Sequence, residues 1–151
     1  MISPVGRSIG ETEAMARGIS IYRKSDLDFI ASPPQNVVSD EFDRWYAESE
    51  AKCLFEAALG SEGAMREFWS DPASRLGLPL IADIYEQGFT NGIKWSDAQL
   101  SQVEQETLYL QEHWSHMSFS DELKEDLRTR VEDLQKAIAV AQEHDGVLTI
   151  S

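Results

Sequence analysis

Few residues in this chain could do chemistry. The histidines are His113, His116 and His144, the only thiol is Cys53, and everything else of that kind is carboxylate. His113 and His116 are three apart, a spacing that can share a helix face, but Trp114 lies between them and His116 falls where a turn is expected. A zinc site needs a second well-spaced ligand pair, and His144 with Asp145 belongs to the far end of another long helix, about 35 Å from its start at 1.5 Å per residue. Cys53 sits beside Leu54 and Phe55 on an apolar stripe, which suits a small buried hydrophobe rather than a nucleophile. Carboxylate pairs such as Asp121 with Glu125, or Glu132 with Asp133, lie on polar helix faces, whereas an acid/base pair wants a desolvated cleft. No Walker loop, GxGxxG, GxSxG or HExxH pattern occurs. The reading is no catalytic residue, no metal site, no cofactor and no enzyme.

The elements that would carry these residues are mostly helical. Leu100, Val103, Thr107, Leu110 and Trp114 recur at helix spacing, as do Leu123, Leu127, Val131, Leu134, Ile138 and Ala141. The short break from Ser115 to Phe119 predicts an αα-hairpin whose apolar stripes face each other. Ser96 with Gln99 forms a capping box for the first helix, Ser118 or Ser120 caps the second, and Asp145-Gly146 ends it.

Upstream, the spacing predicts a short helix opened by Ser25, a helix from Ser39 or Asp40 running through Cys53 and Ala57 to Gly60, and another over Glu62 to Ser70. Asp71-Pro72 opens a further short helix. Leu76 to Ile84 suits either strand or helix, and helix is preferred for Leu80 to Gln87, ending at Gly88 before an Asn91-Gly92 turn. Gly18 to Lys24 and Val147 to Ser151 alternate like strands. The expected fold class is mainly α (α+β): a helical bundle with a long C-terminal αα-hairpin and a small two-stranded sheet from residues 18–24 and 147–151. Residues 1–17 read as a flexible arm and 18–151 as a single globular domain.

Hydrophobic residues make up 42 % of the chain and charged residues 26 %, a composition able to build a core. No apolar run approaches the roughly 18 residues of a membrane span. Met1 to Gly10 has no signal-peptide core, and a single cysteine fits a reducing cytoplasm. The formal charge of −14 is unevenly spread: Asp40 to Asp71 holds nine acids against three bases, and Asp97 to Asp145 twelve against four, while the remaining segments balance. That field opposes direct binding of nucleic acid or anionic lipid and favours a basic protein.

Off the hairpin seam, Glu122, Glu125, Asp126, Glu132 and Asp133 on the last helix, with Glu104, Glu106 and Glu112 on its partner, make a comb of carboxylates interrupted by Arg128, Arg130 and Lys136. Trp69 joins them as a partner-binding candidate, because it adjoins Phe68 and adjacent aromatics are not expected to face one core. Trp45 and Trp114 read as core, and Trp95 as a staple at the start of the first hairpin helix, packing toward Leu100.

Three segments together resemble a known class: GISIYRK (Gly18 to Lys24), KWSDAQLSQVEQETLYLQEHW (Lys94 to Trp114) and AIAVAQEHDGVLTIS (Ala137 to Ser151). The class is the small, acidic, cytoplasmic immunity proteins encoded beside bacterial polymorphic or contact-dependent toxins. The resemblance implies tight binding of one cognate toxin or effector without catalysis, and a basic cleft on that partner would complement the −14 charge. Competing readings are an adaptor or chaperone for a secreted effector, and, behind it, a small enzyme or a DNA mimic.

Overall fold

The computed structural model describes residues 17–90 and 92–151. The fold is mainly helical, with one four-stranded antiparallel sheet. The strands are β1 (Arg17–Arg23), β2 (Phe55–Gly60), β3 (Ile93–Trp95) and β4 (Gly146–Ile150), in the order β2-β1-β4-β3. The helices are α1 (Leu27–Ile30), α2 (Asp40–Lys52), α3 (Glu62–Ala64), α4 (Asp71–Leu76), α5 (Pro79–Ala82), α6 (Ile84–Thr90), α7 (Ala98–Ser115) and α8 (Asp121–Glu143). A single 3₁₀ turn (Lys24–Asp26) precedes α1, and a π-helical segment (Met65–Ser70) joins α3 to α4.

The first and last expected strands pair with each other, Ile21 opposite Leu148 and Ile19 opposite Ile150. The sheet is nevertheless twice as wide as the two-stranded one expected. β2 adds to the free edge of β1 and β3 to that of β4. β2 displaces the long helix expected to run from Asp40 to Gly60: the helix ends at Lys52, and Cys53 caps it instead of sitting inside it. Arg17, placed with the arm by its sequence, begins β1 and is buried beside Glu62 at 3.5 Å. The rest of that arm lies outside the described residues, as does Asn91 of the expected turn.

Strand alternation divides the sheet into two faces. Ile19, Ile21, Leu59, Ile93, Trp95, Leu148 and Ile150 belong to the main core together with Leu127, Val131, Leu134, Ile138 and Ala141 of α8. The buried stripe of α8 thus meets β1, β2 and β4 as well as α7, where the sequence pattern assigned it to α7 alone. Gly146 permits this approach. A Cβ there would come within 2.9 Å of the Tyr22 carbonyl and 3.5 Å of the Ala141 backbone. On the other face, α1 and α2 are tied together by the Trp45 indole N–H, which donates to the Phe29 carbonyl at 2.8 Å, and by the Lys52 ammonium over the Phe29 ring.

Helix starts follow capping chemistry. Ser39, Ser61 and Ser120 each accept a backbone N–H from three residues ahead, and Asp121 and Glu122 in the first turn of α8 complement its dipole. At α7 the box is half made: Gln99 accepts from the Ser96 N–H, but the capping position is Asp97, at φ 53°. Ser25 makes no cap bond for the short helix, and α6 passes through Gly88 to end at Thr90. Trp95 lies in β3 opposite Leu148 and is buried in the same core as Leu100. Among the described residues no helix is long and apolar enough to cross a membrane.

Candidate docking surface

The comb of carboxylates is only partly a surface. Glu106 is 5 % exposed, contrary to its assignment as a partner-binding acid. Its carboxylate accepts the backbone N–H of Ile81 at 2.9 Å and of Leu80 at 3.3 Å, and the Gln102 side-chain amide at 2.9 Å. It therefore caps the start of α5 from a different helix, supplying the acceptor that no local side chain provides. Ionic partners inside the fold compensate other members. Glu125 and Glu132 both grip Arg128, the latter at 2.8 Å, and this pairing, Glu125 first, holds the guanidinium charged. Asp126 faces Arg130 at 3.6 Å. Glu112 is within hydrogen-bond distance of the His116 ring at 3.1 Å. Arg130 also donates to the Ala58 carbonyl, tying α8 to β2.

Glu122 is exposed without a described ion pair, and Glu104 and Asp133 are half-buried. The first two turns of α8 bring Asp121, Glu122, Glu125 and Asp126 around one open depression. Arg130 lines the same depression and compensates Asp126, so its open charge is that of Asp121 and Glu122.

Trp69 is fully buried, which overturns the expectation of an exposed aromatic. Trp69 falls four residues after Met65 and four before Ala73, all three fully buried, whereas Phe68 is only partly buried at the edge of that core. Trp69 packs edge-on against Trp114 with ring centroids 5.1 Å apart, and Phe68 packs edge-on against Phe119 at 5.6 Å. The Trp114 indole N–H closes the arrangement by donating to the Phe68 carbonyl at 2.8 Å.

On the other side of α8, toward α7, lies a pocket of about 270 Å³ that the apolar spacing does not reveal. Trp114, Phe119 and Leu127 form its floor, with Lys124 and Arg128 at its rim. Leu108, 48 % exposed, continues the same α7 face as Gln111 and Ser115, which also line it, and Tyr109 and Met117 are exposed nearby in sequence. An apolar recess bordered by charge is the anatomy of an interface centre. The only available sequence signal was Phe119, an aromatic in a connection that otherwise needs only turn residues.

Two further ionic features sit apart from this surface. The Lys24 ammonium bridges Asp97 at 2.6 Å and Asp145 at 3.0 Å, two aspartates that both adopt φ 53°. Its hydrogen bonds to Asp97 and then Asp145 raise the Lys24 pKa, and the same contact lowers that of Asp97. Cys53, half-buried, donates its thiol to the Phe55 carbonyl at 3.3 Å. Among the described residues no three His, Cys, Asp or Glu side chains are placed to hold a metal ion. Compared with protein-family models, curated proteins and solved structures, the chain matches none.

Proposed function

We propose that this chain is an immunity protein: a non-catalytic, cytoplasmic binding protein that neutralises a cognate bacterial toxin or effector by seating on it through the helical surface around the start of α8. On this reading α7 and α8 act as a back-to-back hairpin that presents the surface rigidly. One observation carries the reading: the start of α8 turns Asp121, Glu122, Glu125 and Asp126 to one side and Lys124, Leu127 and Arg128, which border an apolar recess with Trp114 and Phe119, to the other, so a partner would straddle the helix start. The carboxylates would draw in a basic partner and the recess would anchor it, a division of labour between on-rate and residence time. A partner that cleaves nucleic acid or nucleotides, with a basic cleft, fits that description.

The test is co-expression with toxin domains encoded by adjacent genes, followed by binding kinetics on the purified complex. Reversing Asp121, Glu122 and Asp126 to Lys should slow association by about tenfold or more at low ionic strength and flatten its salt dependence. Leu108→Ala, at an exposed position on the same α7 face, should act chiefly on dissociation. Association rates untouched by the triple reversal would remove α8 from the interface. The exposed Leu108, Tyr109 and Met117 favour a second reading, an adaptor for a secreted effector. That reading requires an unfolded or extended client, whereas an immunity protein binds the folded toxin domain.

A further inference from the structure

The sheet face turned away from the main core carries a row of side chains that crosses all four strands. Ser20 lies opposite Glu56 on one side and Thr149 on the other, and Thr149 lies opposite Lys94. Because each of these residues alternates with a core residue, all four side chains emerge on the same face. Tyr22 and Val147 form the next pair along it. Val147 is buried yet takes no part in the main core.

Where α1 overhangs this face, a cleft of about 280 Å³ opens. One wall is aliphatic, from Leu27, Ile30 and Ala31 of the α1 segment, and the floor is polar, from Ser20, Tyr22 and Thr149, with Lys94 at the end. The Thr149 hydroxyl donates to the Ser20 carbonyl at 3.0 Å, which leaves its oxygen able to accept. The Tyr22 phenol has its pKa pushed up to about 12, first by burial and then by the neighbouring Cys53, and it is hydrogen-bonded to Cys53 and Ser20, so it lines the cleft without being its free donor. Lys94 is exposed and makes no ion pair among the described residues.

These groups select for a particular chemistry. One uncompensated ammonium balances one negative charge, and the −14 field of the chain disfavours anything more highly charged, such as a phosphate ester. Glu56 ends the same row about 14 Å from Lys94 at the usual strand spacing, too far to pair with it and placed to repel a second anionic group. Aliphatic walls ask for a branched hydrocarbon body. We propose that the cleft between α1 and the outer sheet face binds a small monocarboxylate with a branched aliphatic body, its carboxylate on Lys94 and its hydrocarbon against Leu27 and Ile30.

The probe is 4-methylpentanoate, titrated into the full chain by amide NMR, with 4-methylpentanamide as its uncharged counterpart. Binding should be in the millimolar range usual for a ligand of this size, with shifts centred on Ser20, Tyr22, Lys94 and Thr149. The amide, and the variant Lys94→Gln, should each weaken it by about tenfold. Thr149→Val, which keeps the shape of the strand, should weaken it less. N-acetyl-leucine carries the same carboxylate and branched body at a peptide end. Tighter binding of it than of 4-methylpentanoate assigns the site to a chain terminus, and weaker binding to a free acid. The proposal is overturned if the amide binds as well as the acid, if Lys94→Gln leaves affinity unchanged, or if the shifts centre on Trp114 and disappear instead in Lys124→Gln.

Discussion

Replacing Glu106 separates a structural carboxylate from a binding one. Its side chain is 5 % exposed and accepts three hydrogen bonds, two of them from the Leu80 and Ile81 N–H groups at the start of α5. Glu106→Ala deletes the acceptor and leaves donors with little access to water, at about 1–3 kcal/mol for each buried group. The variant also removes a carboxylate from a poorly solvated position, which offsets part of that loss. A net cost of about 3 kcal/mol follows, or about 6–12 °C in Tm for a domain of this size. Glu106→Gln keeps the shape and one carbonyl acceptor but turns an amide donor toward one of the N–H groups, so about 1–2 kcal/mol is expected. Urea and thermal unfolding measure both. A loss below about 0.5 kcal/mol for the Ala variant, or a weakened partner complex with unchanged stability, would return Glu106 to the surface comb and refute the capping role.

Other perturbations probe the remaining contacts. Leu134 is fully buried between α8 and the sheet, so Leu134→Ala should cost about 2–5 kcal/mol in denaturant unfolding, and a near-neutral result would contradict the packing of α8. Tyr22 has a folded pKa of about 12 against an ordinary 10.0, so its contribution to stability is complete below pH 10 and is lost as pH rises toward 12. Tyr22→Phe should flatten that alkaline decline, and an equal decline in both proteins would show that burial of this phenol is not its source. Lys24 is raised and Asp97 lowered by their contact, so the bridge is intact between the two ordinary pKa ranges. It should fail as pH falls through the depressed Asp97 value or rises through the elevated Lys24 value, and Lys24→Met should remove both limbs of that dependence from the unfolding midpoint.

The long helices were legible because their apolar positions repeat often enough to outvote chance: Leu100 to Trp114 and Leu127 to Ala141 are buried where the period puts them. β2 was hidden by the same rule. Cys53 and Ala57 continue the spacing of Phe42, Trp45 and Ser49, and Glu-Ala-Ala-Leu favours a helix locally. Pairing with β1 and burial of Leu59 against the core override that preference. β3 is three residues long, too short for alternation to register, although Ile93 and Trp95 are buried and Lys94 is exposed, as a strand requires.

Missing those two strands also concealed what they assemble. The Glu56, Ser20, Thr149 and Lys94 row exists only because four segments far apart in sequence share one register, and no local window contains more than one of its members. The carboxylate comb failed in the opposite direction. Each of its members was visible in sequence, but whether a glutamate meets solvent, Arg128 or a helix start depends on what packs beside it. Glu122, Glu125 and Glu106 meet these three fates in turn, and that fixes their worth to a partner: open charge at Glu122, charge already spent on Arg128 at Glu125, and none at Glu106. A docking surface built from this comb is therefore concentrated at the start of α8, which is why reversing Asp121, Glu122 and Asp126 should outweigh the same reversal at Glu132 and Asp133.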